Sequence, residues 1–387
     1  MGLYAVFMEQ LLILGKSNTG KSTVIKKRVL DDIHAGDGLI FLDFYGSHIN
    51  EVLHHIPDNR KDDVVFFNAS DKTNVTAFNI FDDVVPDDRP LVASSVLSAF
   101  KSITGYTINT PVLDRVLYNS ARLVLDNNGT LLSMFYLLTK NEYRESLLKH
   151  CIDLTIKDFW IDYGHLSVKD KKDMNSSTLS NMEPFITDST LRNVIGQSTS
   201  SFSIKDIMSD KKILLVALST HLLGDKARLL GFLLLTSIYT SARHNTDPFT
   251  VYVDGAQHVT SPLLLRLMTD LSTFNIGTAI TFQNLNQMKD IPYLDAFTSL
   301  LAFNLGVNDS KTLHKVFSMG DQEIRLDELL PYDGLLLKGL HRKDFKCTPH
   351  SYSQLPTADR LVNRCINDYS THRDIVEKKI NNFIRRL

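Results

Sequence analysis

A glycine-rich segment of eight residues constrains the fold of this chain more than any other part of the sequence. The segment reads Gly15-Lys16-Ser17-Asn18-Thr19-Gly20-Lys21-Ser22 and fits the pattern G-x-x-x-x-G-K-[ST]. An apolar run at residues 11–14 precedes it, and residues 21–35 have helical spacing. The sequence therefore predicts a strand, a loop and a helix whose amino end and backbone N–H groups face a phosphate chain.

The residue types of this loop predict the binding of ATP with Mg²⁺. Gly15 and Gly20 let the backbone wrap the phosphates, Lys21 bridges the β- and γ-oxygens, and Ser22 offers its hydroxyl to Mg²⁺. Thr23 is expected to add a contact. The rest of the predicted cradle consists of Lys16, Ser17, Asn18 and Thr19. The alternative interpretation is an ordinary Gly-Lys turn before a helix.

A carboxylate at the end of a hydrophobic strand forms the second half of such a site. The run Thr250-Val251-Tyr252-Val253 ends at Asp254, which is predicted to hold magnesium as an outer-sphere ligand. On its own, an apolar run that ends in Asp is more often a strand cap. The prediction of a metal ligand at Asp254 therefore depends on the presence of the phosphate loop.

Apolar runs that alternate with helical segments predict an α/β fold with a mostly parallel sheet. Strand-like runs occur at residues 39–42, 64–67, 213–218, 249–253 and 278–282. Helical periodicity at residues 91–103, 112–125, 131–138 and 143–159 predicts a large all-helical insertion. The predicted domains are a first part of the ATPase core at 1–85, the insertion at 86–200, a second part of the core at 201–350 and a helical tail at 351–387.

The composition favours a cytoplasmic globular protein. The 387 residues include 42 basic and 44 acidic side chains, and the formal charge of −2 provides no global positive field, so any contact with DNA must be local. Cys151, Cys347 and Cys365 lack the paired spacing of zinc sites or disulfide frameworks, which is typical of a reducing compartment. The longest apolar runs are far shorter than the ~20 residues that span a bilayer, and the first residues read as a strand rather than a leader.

Several motifs in the same order and spacing resemble the HerA/FtsK-like P-loop ATPases, specifically the VirD/TraG-like conjugative coupling-protein relatives of type IV secretion. Residues 38–43 resemble the strand that leads into Asp-Pro-His-Gly-Asp in that family, and residues 78–79 fall at its Asn-Pro. Asp254 and Gln257 match its Asp-Glu-Phe-Gln. Counting from Asp254 without a gap, the resemblance assigns Gln283 to the glutamine that senses the γ-phosphate. It implies a RecA-like core with Lys21, Asp254 and Gln283 as catalytic residues.

The chain departs from that family at four groups of positions that bear on hydrolysis. The catalytic Glu that follows the Asp of the family's metal-binding strand is Gly255 here, and a glycine cannot orient or deprotonate water. An Arg-Lys pair of the family falls on Ser272 and Thr273, and the Arg of a later Phe-Arg-x-Gly is Asn304. The Asp after the second strand's glycine is Ser47. These differences predict weakened hydrolysis, with Asp43 or Asp270 as the candidate replacement for orienting water.

The resemblance implies a cytoplasmic ATP-binding motor that assembles as a homo-oligomer, expected to be a hexamer, and translocates DNA through a central channel without reading bases. It also implies secretion-channel or capsid proteins as partners. Two alternatives stay open. One is a viral genome-packaging ATPase, and the other is a non-hydrolysing nucleotide-binding subunit that scaffolds a secretion or packaging machine.

Overall fold

The computed structural model describes residues 9–104, 111–261, 268, 270–288, 294, 297–317, 324–348 and 358–387. Two compact units make up the chain, and each consists of several segments. The first unit contains residues 1–67, 204–221 and 241–364. The second contains residues 68–203, 222–240 and 365–387.

The first unit is built around a mostly parallel sheet, which confirms the predicted α/β class. Within the described residues, nine strands lie in the order β10-β9-β8-β1-β7-β6-β2-β5-β3. The pairs β8-β1, β1-β7, β7-β6, β6-β2 and β2-β5 are parallel, whereas β9 is antiparallel to both β8 and β10. The strands are β1 Gln10–Leu14, β2 Leu39–Asp43, β3 Val64–Asn68, β5 Ile213–Ala217, β6 Phe249–Asp254, β7 Ile276–Phe282, β8 Ser299–Ala302, β9 Asp333–Lys338 and β10 His341–Lys346.

The central strands read as continuous apolar runs because both of their faces are buried. Every residue of β1, β2, β5 and β7 is buried. Parallel pairing brings the carboxyl ends of these strands to one edge, where Asp43 of β2 lies in register with Asp254 of β6. Gln283 follows β7 at the same edge. The predicted site residues are therefore brought together by the sheet.

Helix α1 spans Lys21–Ala35, as the sequence predicts. Its apolar positions Val24, Ile25, Val29 and Ile33 are buried, since they lie on one stripe of a 3.6-residue helix. Gly36 ends the helix in the left-handed region with φ 87°. The other helices of this unit include α2 Ser47–Leu53, α10 Ile204–Ser209 and α13 Val307–Phe317.

The second unit is helical apart from the short pair β4 Asn74–Val75 and β11 Thr371–His372. This confirms the predicted helical insertion. Trp160 is fully buried, and its Nε1 donates to the Asn119 carbonyl at 3.2 Å. The helices are α3 Arg89–Thr104, α4 Pro111–Asp126, α5 Leu131–Thr139, α6 Asn141–Leu148, α7 Leu154–His165, α8 Val168–Thr187, α9 Ser189–Ile195 and α15 Arg373–Arg385.

Some boundaries differ from the predicted ones. The segment predicted as one helix at 143–159 is split into α6 and α7, because Asp153 accepts the Thr155 and Ile156 N–H groups and starts a new helix. The helical tail is likewise interrupted by β11, between α14 Ala358–Tyr369 and α15. The sequence also predicts a helix near residues 263–274; part of it lies outside the described residues, and its described end is the 3₁₀ turn Leu271–Phe274.

The remaining helices are α11 Thr220–Leu223 and α12 Asp225–Ala242. Further 3₁₀ turns occur at Asp58–Asp63, Pro86–Asp88, Ala256–Val259, Leu285–Met288 and Leu326–Glu328. A search of the described helices finds none with the length and hydropathy of a bilayer-spanning segment.

Candidate nucleotide site

The glycine-rich loop joins β1 to α1 at the carboxyl edge of the sheet. Its tip, formed by Lys16, Ser17 and Asn18, is exposed, whereas Thr19 and Gly20 are buried. Gly20 has φ 121°, and a Cβ at this position would lie 2.9 Å from Cys347 Sγ. Only glycine is compatible with that backbone and that contact.

Backbone hydrogen bonds tie the loop to the surrounding strands. The Gly15 N–H donates to the Phe282 carbonyl at 3.2 Å, and the Lys16 N–H donates to the Asn304 carbonyl at 2.8 Å. On the other side, the Thr19 carbonyl accepts from the Tyr332 N–H at 2.8 Å. The loop is therefore held in shape by the end of β7 and by the segments after β8 and before β9.

Lys21, the first residue of α1, is buried and folds back on the loop. Its Nζ donates to the carbonyls of Gly15 at 2.7 Å and Lys16 at 2.8 Å. Burial lowers the pKa of Lys21 to about 8, and the charge of Asp254 opposes this shift. An ammonium held only by carbonyl oxygens can exchange them for phosphate oxygens. Ser22 and Thr23 are half-buried in the first turn of the same helix.

Asp254 lies fully buried at the end of β6, on the strand that the sequence predicts. Its Oδ1 accepts a hydrogen bond from the Thr281 hydroxyl at 2.6 Å. Its Oδ2 accepts no hydrogen bond from the described residues. His48 Nε2 is 3.6 Å away from this second oxygen. One oxygen is thus fixed by the protein, and the other faces the site.

Gly255 occupies the position that the sequence resemblance assigns to a catalytic Glu. Its φ of 93° lies in the left-handed region. A Cβ here would be 3.0 Å from Phe44 Cβ, 3.2 Å from Tyr45 Cε2 and 3.4 Å from His258 Cδ2. Both the backbone conformation and the packing at this position therefore favour glycine over glutamate.

Tyr45 brings the two glutamines of the candidate site together. Its phenol oxygen accepts hydrogen bonds from Gln257 Nε2 at 2.8 Å and from Gln283 Nε2 at 3.4 Å. Burial raises the pKa of Tyr45, so the phenol keeps its proton and can donate it. Gln283, assigned from the resemblance, therefore lies beside Gln257, with a hydroxyl between them.

Tyr45 and His48 are the site residues that the sequence reasoning missed. Both follow the predicted strand at 39–42, on the side where the carboxyl ends of parallel strands meet. Their place directly after a predicted strand was the only feature of the sequence that could have indicated a role in the site. Neither residue type indicates a phosphate site by itself, and their contacts with Gln257 and Asp254 depend on segments about two hundred residues away.

Asn304 and Thr273, two of the residues that depart from the pattern of the resemblance, make structural contacts here. The Asn304 side chain donates to the carbonyls of Asp327 at 3.0 Å and Leu329 at 2.7 Å, so it braces a turn. The Thr273 hydroxyl donates to the Asp270 carbonyl at 2.7 Å. Among the described contacts of these two side chains, none involves the phosphate loop.

Asp43 is buried and bound by backbone groups. Its Oδ1 accepts the Tyr45 N–H at 2.9 Å, and its Oδ2 accepts the His48 N–H at 2.8 Å and the Ile49 N–H at 3.4 Å. These bonds hold the start of α2. Each oxygen of Asp43 therefore has at least one backbone donor, which fixes the orientation of the carboxylate.

Replacing Asp43 by alanine should lower the free energy of unfolding by about 1–3 kcal/mol, because it leaves buried N–H groups without acceptors. Urea unfolding monitored by circular dichroism measures this change. Asp58→Ala is the matched control, since the Asp58 side chain is 94% exposed, and it should unfold like the wild type. Equal stabilities for the two variants would contradict the anchoring role of Asp43.

Three buried polar atoms near Asp254 lack hydrogen-bond partners among the described residues. They are Asp254 Oδ2, His48 Nδ1 and Gln257 Oε1. Buried polar atoms are rarely left unpaired, because the loss of hydration is costly. Such atoms on Asp254, on His48 beside it and on Gln257 three residues later fit a site that receives a metal ion and a phosphate group.

Comparison with solved structures identifies this fold. The plasmid coupling protein TrwB, solved with the GTP analogue GDPNP, aligns with a TM-score of 0.66 and 12% identity over 92% of this chain and 89% of that chain. VirB4 of Thermoanaerobacter pseudethanolicus aligns with a TM-score of 0.59 and 17% identity over 89% and 90%. A genome-packaging NTPase of Sulfolobus turreted icosahedral virus 2 reaches a TM-score of only 0.36, which is too low to support an argument.

The resemblance to the coupling-protein ATPases is thus confirmed at the level of the fold, including the RecA-like core with its helical insertion. Sequence comparisons add nothing further. No protein-family model matches the chain, and no curated protein matches it.

Proposed function

We propose that the chain, which shares the fold of TrwB and VirB4, binds ATP with Mg²⁺ at the glycine-rich loop and acts as a cytoplasmic DNA-translocating motor of the conjugative coupling-protein type. The observation that carries this proposal is the buried Lys21 ammonium, held by loop carbonyls at the carboxyl edge of the sheet and influenced by the charge of Asp254. Structures of TrwB contain ADP with Mg²⁺ and nucleotide analogues, which supports the same cofactors here.

Each residue of the site has a separate proposed role in nucleotide binding. Lys21 would exchange its carbonyl partners for the β- and γ-phosphate oxygens, while the loop N–H groups surround the phosphates. Ser22 and Asp254 would hold Mg²⁺, which neutralises charge on the phosphates when it is bound. Gln283, which donates to the Tyr45 hydroxyl, would sense the terminal phosphate. These roles follow from donor and acceptor types at one edge of the sheet.

We further propose a homo-oligomeric ring, with six subunits as the expected number, that grips DNA through its phosphates. The formal charge of −2 favours local contacts in a channel over a broad basic surface. Binding should then depend little on base sequence and fall steeply with salt. Secretion-channel proteins are the proposed partners.

A steady-state ATPase assay with and without DNA tests the motor. The expected result is slow turnover that DNA accelerates and that Lys21→Met abolishes. Turnover unaffected by Lys21→Met would assign it to a contaminant and contradict the motor. Comparing single-stranded with double-stranded DNA of mixed sequence shows which of the two forms stimulates turnover.

A non-hydrolysing scaffold subunit is the second candidate, and the conformation of Gly255 favours it. Loss of a general base lowers rates by about 10²–10⁴-fold. The space beside Gly255 is closed by Phe44, Tyr45 and His258. Tight ATP binding with no turnover, with DNA present, would support the scaffold over the motor.

Nucleotide affinity should fall as the pH rises above about 8, because free Lys21 then loses the proton that phosphate binding requires. The direction of this pH dependence follows from the lowered pKa of Lys21. Below that pKa the ammonium is already present, whereas above it Lys21 must take up a proton before the phosphates bind. Affinity should weaken by up to about tenfold per pH unit. Calorimetry in buffers of different ionisation enthalpy measures the uptake, and its absence at about pH 9 would contradict the role of Lys21.

A further inference from the structure

We propose that Asp43, His48 and Asp254 form a binding site for a first-row transition ion, Mn²⁺ or Zn²⁺, at the carboxyl ends of β2 and β6. One ligand atom from each side chain lies within 4.8 Å of the other two. Within the described part of the chain, no other group of His, Cys, Asp and Glu meets this criterion. The site shares Asp254 with the proposed nucleotide site, but its existence does not require nucleotide.

Asp254 provides the first argument, because one of its two carboxylate oxygens has no hydrogen-bond donor among the described residues. The side chain is 1% exposed, and the Thr281 hydroxyl satisfies Oδ1. Oδ2 accepts no hydrogen bond from the described residues, although it is buried. A carboxylate oxygen in this condition is stabilised by a cation. Oδ2 of Asp254 points toward His48.

His48 provides the second argument through its distance from that oxygen. Its Nε2 is 3.6 Å from Asp254 Oδ2, which is longer than a normal hydrogen bond. Two ligands at about 2.1 Å from one ion, with an angle of about 90–110° between them, are roughly 3.0–3.4 Å apart. The separation is therefore close to that of two ligands of one ion.

Asp43 completes the set from the neighbouring strand. The parallel pairing of β2 with β6 puts Asp43 and Asp254 in register, so two buried carboxylates meet at one edge of the sheet. Backbone N–H groups of Tyr45, His48 and Ile49 fix the orientation of Asp43, and Oδ1, which accepts one of these three bonds, keeps a lone pair for a metal. A divalent ion would relieve the repulsion between the two carboxylates.

The choice of ion follows from the imidazole. Mg²⁺ prefers oxygen ligands and keeps several of its waters, whereas imidazole nitrogen suits Zn²⁺ and its neighbours in the first row. A site with one nitrogen and two carboxylates is therefore expected to prefer Zn²⁺ or Mn²⁺ to Mg²⁺. His48 is the residue that makes this difference.

Isothermal titration of the full chain with ZnCl₂, MnCl₂ and MgCl₂, each alone and without nucleotide, tests the site. We expect one Zn²⁺ per chain, bound more tightly than Mg²⁺, and a loss of about 100-fold in His48→Asn, since even residues that only orient a ligand contribute about 10- to 100-fold. His54→Asn is the matched control and should bind like the wild type, because half-buried His54 lies just past the end of α2, outside the site. Equal Zn²⁺ affinity in wild type and His48→Asn would overturn the proposal.

A spectroscopic measurement on the wild type alone guards against a variant that fails to fold. Electron spin echo modulation of bound Mn²⁺ should show coupling to an imidazole ¹⁴N, and its absence at saturation would also overturn the proposal. Nucleotide binding is measured separately with Mg²⁺ as the sole metal. Zn²⁺ binding without nucleotide binding would contradict the proposed function only, whereas nucleotide binding without a His48-dependent metal would contradict this inference only.

Discussion

Replacement of Lys21 by methionine is expected to weaken ATP binding by roughly 100-fold or more while leaving the fold intact. Charged hydrogen bonds contribute about 1.5–3 kcal/mol each, and Lys21 has two carbonyl partners in the free protein that two phosphate oxygens can replace. Methionine keeps the length of the side chain and fills the same buried space. Fluorescence anisotropy with a labelled ATP analogue in the presence of Mg²⁺ measures the change.

Lys27→Met is the matched control for this experiment. Lys27 lies on the same helix, is 56% exposed and pairs with Asp31 four residues later, so its loss should leave ATP affinity unchanged. If both variants bind ATP like the wild type, the nucleotide does not contact the loop. If both variants lose ATP affinity equally, the loss comes from the change in net charge and not from a contact with Lys21.

Gly255→Glu is expected to lower stability without restoring hydrolysis, although it supplies the carboxylate that the sequence resemblance would place there. A non-glycine residue at φ 93° costs about 1–3 kcal/mol, and its Cβ would contact Phe44 and Tyr45 at 3.0 Å and 3.2 Å. Displacement of Tyr45 would also disturb its hydrogen bonds with Gln257 and Gln283. Thermal unfolding and ATPase assays measure the two effects.

Two control variants separate the backbone cost of Gly255→Glu from its packing cost. Gly36→Ala has a similar φ of 87° with no heavy atom within 4 Å of the added Cβ, so it reports the backbone cost alone. Gly255→Ala adds the packing cost without the carboxylate, and should lie between Gly36→Ala and Gly255→Glu in stability. A Gly255→Glu variant that is as stable as the wild type and hydrolyses ATP faster would show that the site needs only the missing base.

The parts of the fold that could be predicted are those specified by local patterns. The limits of α1 follow from the apolar spacing after Gly20 and from Gly36, and β6 follows from an apolar run that ends at Asp254. The phosphate loop is likewise contiguous in sequence. Each of these features depends on neighbouring residues, which periodicity and turn chemistry describe well.

The parts that were missed depend on contacts between distant segments. Strand β10 carries His341, Arg342 and Lys343, and alternation of apolar and polar residues is weak there because the strand lies at an exposed edge of the sheet. Tyr45 meets Gln257 only because β2 and β6 are neighbours in the sheet. Strand order is not encoded in any one window of sequence, so these residues could not be assigned in advance.

Titration of the wild-type protein with a fluorescent ATP analogue, once with Mg²⁺ and once with EDTA, is the most direct test of whether this edge of the sheet is a nucleotide site. We expect saturable binding of one nucleotide per chain that weakens markedly when Mg²⁺ is removed, since Ser22 and Asp254 are proposed to act through the ion. Absence of saturable binding under both conditions, for ATP and for GTP alike, would contradict the nucleotide site and the motor built on it.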